Sequence, residues 1–316
     1  MEGISLLRLA RERIAAGEPV AEAVILASRG SVSRPAGARM LLLADGRFEG
    51  TVGGGAPEFA CQRAAREAMA GAPARLLELD HGSTGMVCGG VQVAGVRRMG
   101  AASLPALTHA LEALDAGRPA ALELDWGGAE PVLRAADSAG APKAPTWDGA
   151  VFTEPLRPAA RVVIFGAGHV GRALTAQLAL LDFDILIADD RPELMDPALF
   201  PRGCRAVACD YADPAAAGIA LAPADLACIL TASHQTDARL TAWALGRHPR
   251  YLGCMGSRRK AAVVRAELVE RGFSPEEIAS VDLPIGLAIG AVTPAEIALS
   301  IAARLVQVRA EGPVEG

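Results

Sequence analysis

Residues 162–171 read VVIFGAGHVG, and this stretch decides the fold of the second half of the chain. An apolar run, RVVIF, meets glycines at 166, 168 and 171, the spacing G-x-G-x-x-G. Val170, Leu174, Leu178 and Leu181 then recur at helical spacing. The pattern predicts strand, tight turn and helix. Gly166 permits the turn, Gly168 lets a phosphate approach the backbone, and Gly171 lets helix and strand pack closely. Free N–H groups at the helix start then face an anion. His169 fills a variable position of the fingerprint, either as a solvated side chain or as a contact to phosphate. Asp189 and Asp190 end the next strand, where an acid accepts from a ribose hydroxyl.

Outward from that turn, short apolar runs alternate with helical stretches: DILIA, RAVAC, LACIL and YLGCM. The rhythm implies an α/β fold, a C-terminal Rossmann-like doubly wound parallel sheet beside a separate N-terminal α+β domain. TASHQTD, after LACIL, carries His234 and Asp237, and GSRRK, after YLGCM, places Ser257 at an N-cap before Arg258, Arg259 and Lys260. Ligands of open α/β sheets bind outside the carboxyl ends of the strands, so these loops are expected to converge on the glycine turn. A cation at a helix N-terminus opposes the dipole, and an anionic ligand would supply the reason for it. The blander alternatives are a capping serine and a hydrogen-bonded His234–Asp237 loop pair. SPEE and TPAE each read as a capping box at a helix start.

The first half holds three glycine-rich loops, GSVSRPAGARM, GTVGGGAPE and GMVCGG. Clustered glycines form anion-receiving nests of backbone N–H groups, here Gly53, Gly54, Gly55, Gly89 and Gly90, with Arg34 and Arg39 adding charge. Cys88 offers a soft sulfur among glycines, a poor setting for a core filler and a fitting one for a soft metal centre. Cys61, Cys204, Cys209, Cys228 and Cys254 lie in helix or strand patterns and read as inert. Glu58 reads as a first-turn helix acid. Residues 127–160 turn rich in Gly, Pro and Ala, with SAGAPKAPTWDG the most linker-like part and AVFTEPL a last strand. The expected domains are 1–157 and 158–316.

Composition excludes several classes. A net charge of −5 gives no global field for nucleic acid. No CxxC pair marks a zinc site or disulfide framework. The N-terminus reads as a charged amphipathic helix without the apolar core of a signal peptide, and the most apolar late stretch contains Pro294 and Glu296. The expectation is a soluble cytoplasmic protein.

The ordered set of motifs resembles the XdhC/CoxI family of molybdenum-cofactor accessory proteins over nearly the whole length. Its carriers are GSVSRPAGARM, GTVGGGAPE, GMVCGG, IFGAGHVG, DDRPEL, YLGCMGSRRK and PIGLAIGAVTPAEIALSIAARL. The resemblance implies a non-enzymatic chaperone. Such a protein binds and protects the molybdenum cofactor, and it supports exchange of an oxo for a sulfido ligand by a cysteine desulfurase. It then delivers the cofactor to an apo molybdenum hydroxylase of the xanthine or carbon monoxide dehydrogenase type. It further implies that Cys88 contacts or guards the metal, and that the protein is a homodimer. The cofactor-binding set on this view is Arg34, Arg39, Gly53, Gly54, Gly55, Cys88, Gly89, Gly90, Gly166, Gly168, His169, Gly171, Asp189, His234, Ser257, Arg258 and Lys260. The chain departs from the family pattern where TASH replaces a two-histidine stretch, where Ala288 replaces an acid, and where Ser33 replaces a proline. Two other classes stay open: an NAD(P)-dependent oxidoreductase, for which no catalytic set emerges, and a nucleotide-sensing scaffold.

Overall fold

In the computed structural model, which describes residues 3–80, 89–136 and 138–311, the chain divides into two units, Met1–Pro158 and Ala159–Gly316. The first unit opens on α1 (Gly3–Ala15), whose Leu6, Leu7, Ala10 and Ile14 form one buried helical face. The strands β1 (Val20–Arg29), β2 (Arg39–Leu42) and β3 (Phe48–Gly50) follow. The helix α2 (Gly55–Met69) leads to β4 (Arg75–Asp80) and β5 (Val91–Met99). These strands form an antiparallel sheet in the order β3-β2-β1-β5-β4. Most of β1 is buried on both faces, so alternate residues enter different cores. Ala21, Ala23 and Ile25 pack with Cys61, Ala64 and Ala65 of α2. Val20 joins α1 and α3 (Leu104–Asp115) on the opposite side.

Residues 127–150 depart from the linker-like expectation, while AVFTEPL forms the expected strand. With β6 (Ala120–Asp125) they build a second antiparallel sheet of β7 (Val132–Ala136), β8 (Thr146–Trp147) and β9 (Val151–Leu156), in the order β7-β6-β9-β8. Both edge strands are short and largely solvent-facing, so they carry little of the apolar alternation that betrays a strand. Val24 and Leu26 of β1 pack on Leu124 and Phe152 of this sheet.

The second unit holds β10 (Arg161–Phe165), α4 (His169–Ala179), β11 (Asp184–Asp189), β12 (Arg205–Ala208) and β13 (Leu226–Ile229). Then come α5 (His234–Leu245), β14 (Tyr251–Cys254), α6 (Arg258–Glu270), α7 (Pro275–Ala279) and α8 (Pro294–Ala310). The sheet is wholly parallel, in the order β12-β11-β10-β13-β14. Successive residues of β10 enter opposite cores. Val162 and Ile164 meet Leu174, Leu178, Ile301 and Leu305 of α4 and α8, while Val163 and Phe165 meet Ala238, Leu240, Val264 and Leu268 of α5 and α6. The expected doubly wound sheet is therefore present, with one departure. Between β11 and β12 two 3-10 turns, Pro192–Leu194 and Pro197–Leu199, replace a helix, because prolines spaced this closely cannot continue one. Both capping boxes form, at Ser274–Glu277 and Thr293–Glu296. Strand order reverses between β10 and β13, so the carboxyl edge at that point is where a ligand crevice opens.

Candidate functional site

The glycine turn stands at that reversal. A β-carbon at Gly166 would lie 2.5 Å from the Leu230 carbonyl just past β13, and one at Gly171 would lie 1.9 Å from the Gly166 carbonyl. Gly166 therefore lets the turn touch the neighbouring strand, and Gly171 seats α4 against it. Gly168 differs, because a β-carbon there meets nothing within 4 Å. Gly168 is also the N-cap of α4 and supplies no capping side chain, whereas Ser233 and Ser257 cap α5 and α6. The α4 N-terminus thus keeps orphan N–H groups beside an open space, a cradle that suits a phosphate. His169 is exposed at the first helical position.

Asp189 corrects an expectation. It is fully buried, and its carboxylate accepts from the Ala167 N–H at 2.6 Å and from the Arg191 N–H at 3.0 Å. It also takes a bidentate grip from the Arg191 guanidinium at 2.8 and 2.9 Å. Burial pushes this carboxyl up, but those donors outweigh it and hold the group below its usual value. Asp189 fastens the glycine turn to β11 instead of waiting for a ribose. Asp190 beside it is half exposed, and burial together with the Asp189 charge raises its pKa.

The carboxyl ends of β13 and β14 border a cleft of about 330 Å³ lined by Ala232, His234, Ser257, Arg259, Lys260 and Val263. His234, Ser257 and Lys260 were expected there; Arg258 is exposed and does not line it, and Arg259 takes that place. Lys260 is not a free cation, since its ammonium pairs with the buried carboxylate of Asp237, which also accepts from the Thr231 hydroxyl. Burial nonetheless raises the Asp237 pKa, with Lys260 and Thr231 pulling against it. The Ser257 hydroxyl accepts from the Lys260 N–H at 3.2 Å, so the serine does cap α6.

In the first unit the glycine loops pack on one another. A β-carbon at Gly53 would lie 2.0 Å from the Ser33 hydroxyl oxygen, and one at Gly90 would lie 2.5 Å from the Ser31 carbonyl. The Arg34 carbonyl accepts from the buried Gln92 amide at 2.7 Å. Residues 30–34, 51–55 and 89–90 therefore meet beyond one end of the first sheet. Two expectations change. The N–H groups of Val52 and Gly54 already donate to Glu58, at 3.2 and 3.0 Å, and that of Gly53 donates to the Thr51 hydroxyl at 3.1 Å. The nest is filled by the protein's own carboxylate, and Gly55 has entered α2. Arg39 is only 4% exposed, on β2, where its guanidinium donates to Glu22 at 3.2 Å and to Glu154; Arg97 donates to Glu22 at 3.0 Å. Its charge is spent on internal carboxylates. The void beside these four residues is about 10 Å³, room for one water and no guest.

Cys88, the expected metal contact, lies outside the described residues, which begin again at Gly89. Among the described residues no three or more His, Cys, Asp or Glu side chains are grouped to hold a metal. Burial pushes the thiols of Cys61 and Cys254 up to about 12 and those of Cys204 and Cys209 to about 11, which leaves them inert. Among the described residues no helix is long and apolar enough to cross a membrane. Glu58 and Gln92 are the site residues that sequence reasoning undervalued. Glu58 had a signal, an acid three positions after Gly55. A strand glutamine has none.

Two family models match the chain, one described as the XdhC Rossmann domain over residues 162–305, the other as the XdhC and CoxI family over 13–80. The Escherichia coli protein YqeB is 30% identical over 295 residues, 93% of this chain, although the chain spans only 44% of YqeB. The Escherichia coli molybdenum cofactor insertion chaperone PaoD is 27% identical over 96% of this chain and 88% of its own. A Bacillus halodurans structure described as a xanthine dehydrogenase matches with a TM-score of 0.82, covering 99% of this chain and 97% of its own. At 24% identity that likeness shows the fold.

Proposed function

The chain belongs to the XdhC and CoxI family, and from that premise we propose that it is a molybdenum cofactor insertion chaperone, not an enzyme. On this reading it binds the cofactor as cargo and shields it. It then supports replacement of an oxo by a sulfido ligand by a cysteine desulfurase, and hands the cofactor to an apo molybdenum hydroxylase in the cytoplasm. Its working form on this reading is a homodimer. The likeness to PaoD over 96% of the chain supports it. The observation that carries it is the meeting of the 30–34, 51–55 and 89–90 loops, with Cys88 the neighbour of Gly89. A β-carbon at Gly89 would meet nothing within 4 Å, which leaves backbone open to a bulky anionic guest, and the cysteine next to it in sequence is a soft donor type for its metal.

Anaerobic reconstitution with molybdenum cofactor, followed by desalting and metal analysis, tests the reading. Wild type is expected to retain the cofactor near one equivalent, and Cys88→Ala to retain at least tenfold less. A wild-type chain that retains none overturns the proposal.

A second reading, that the second unit binds NAD(P) or another nucleotide, is favoured by the open space over Gly168 and the uncapped start of α4. Calorimetric titration with NAD and NADP discriminates it, since heat of binding without turnover of any carbonyl substrate fits a scaffold and turnover fits an oxidoreductase.

A further inference from the structure

The cleft between the starts of α5 and α6 carries a charge arrangement that the fold does not need. Of the two cations lining it, Lys260 is neutralised by Asp237. Arg259 makes no ion pair or hydrogen bond with any described residue, and neither does His234. Both stand in first helical turns, and there the Arg259 guanidinium faces the positive end of the helix dipole. The first turn of α6 contains no acid to relieve it, and the acid of α5, Asp237, is already spent on Lys260. Arg259, the imidazole of His234 and the positive ends of two helices therefore aim at one space with no anion of the protein to meet them.

The space has a size and a dry wall. At about 330 Å³ it is at the lower end of small-molecule sites and larger than an inorganic ion requires. Val263 is 41% exposed there, one helical turn after Arg259 on the same face of α6, and with Ala232 it adds apolar lining. The cleft opens two residues after Leu230, whose carbonyl abuts Gly166.

We propose that this cleft binds a phosphate monoester of about nucleoside monophosphate size. Its dianionic phosphate is gripped by the Arg259 fork and by the first N–H groups of α5 and α6, which the Ser233 and Ser257 caps leave unmet, and its ring or sugar lies on Val263. A guanidinium matches a phosphate with two parallel donors, which an ammonium does not. Lys260 is a brace: by pairing with Asp237 it ties α6 to α5 and sets the width of the cleft.

The full-length chain is titrated calorimetrically with adenosine 5′-monophosphate, ribose 5-phosphate and inorganic phosphate. The expected result is saturable binding of both esters, at least tenfold tighter than inorganic phosphate. Arg259→Ala is expected to weaken ester binding at least tenfold at unchanged Tm. Arg239→Ala, an exposed arginine of α5 outside the cleft, should shift it less than twofold. Absence of ester binding by wild type overturns the proposal. So does equal affinity for inorganic phosphate, an Arg259→Ala variant that binds like wild type, or an equal loss in Arg239→Ala. The inference is independent of the chaperone reading. A chain that holds the esters but no molybdenum cofactor would sink only the latter, and the reverse outcome would sink only this one.

Discussion

Glu58 shows how much one side chain can arrange. Its carboxylate accepts from the Thr51 hydroxyl and from the N–H groups of Val52 and Gly54, and so holds the GTVGGG loop in place from the first turn of α2. Burial raises its pKa, but these donors prevail and keep it below the ordinary 4.5. A depressed folded-state value means that the contribution is complete above 4.5 and lost as the pH falls through that lower value. The protection of the Val52 and Gly54 amides against exchange, relative to their intrinsic rates, should therefore fall on acidification below 4.5, and Glu58→Ala should show the low protection already at neutral pH. That variant should cost about 1 kcal/mol of stability, the loss of charge-assisted hydrogen bonds partly screened by solvent; exchange unchanged in Glu58→Ala would refute the role. Arg39 and Asp189 teach the complementary lesson. Each is the charged residue that a binding loop or ribose site calls for, yet each is consumed within the protein, Arg39 by Glu154 from a distant part of the chain, Asp189 by Arg191 two residues on and by the Ala167 N–H. Residue type is written in the sequence, but the partner that consumes it is not.

At the scale of elements, the passage from β10 through the glycine turn into α4 was legible because each glycine has a local duty. The structure separates those duties. Gly171→Ala would drive a methyl group into the Gly166 carbonyl, and it should destabilise the second unit by about 2–3 kcal/mol in urea denaturation. Gly168 has φ −66° and open space, so Gly168→Ala should fold with an unchanged midpoint while weakening any ligand whose phosphate needs the cradle. A Gly168→Ala chain that unfolds like Gly171→Ala would show that Gly168 is a packing residue. The capping boxes of α7 and α8 were equally legible, since both partners lie within three residues. The strands β7 and β8 were not. Edge strands are stabilised by neighbours remote in sequence, and their own residues face water too often to keep a period.

At the scale of the whole molecule, each unit has its own core. The second packs α4 and α8 on one face of a parallel sheet and α5 and α6 on the other, with every strand of that sheet drawn from residues 161–254. A chain starting at residue 159 should therefore unfold in a single cooperative transition, measured by circular dichroism with denaturant; a broad, non-cooperative melt would mean that the unit depends on the first. What the sequence determined alone was whatever short-range rules govern: the parallel α/β architecture, the strand–turn–helix at Gly166 and the helix caps. Those follow from side-chain period and from glycine and capping chemistry within a few residues, which do not depend on distant contacts. Only the tertiary structure decided which charges remain available. It withdrew Arg39, Asp189 and Lys260 into pairs with Glu22 and Glu154, with Arg191, and with Asp237, and filled the Gly53–Gly54 nest with Glu58. It left Arg259 facing an open cleft. The physical reason is that burying an unpaired charge costs several kcal/mol. The fold therefore had to bring each buried charge an opposite one, and for Arg39 with Glu154 and Lys260 with Asp237 the partners lie at distances along the chain that no local pattern records.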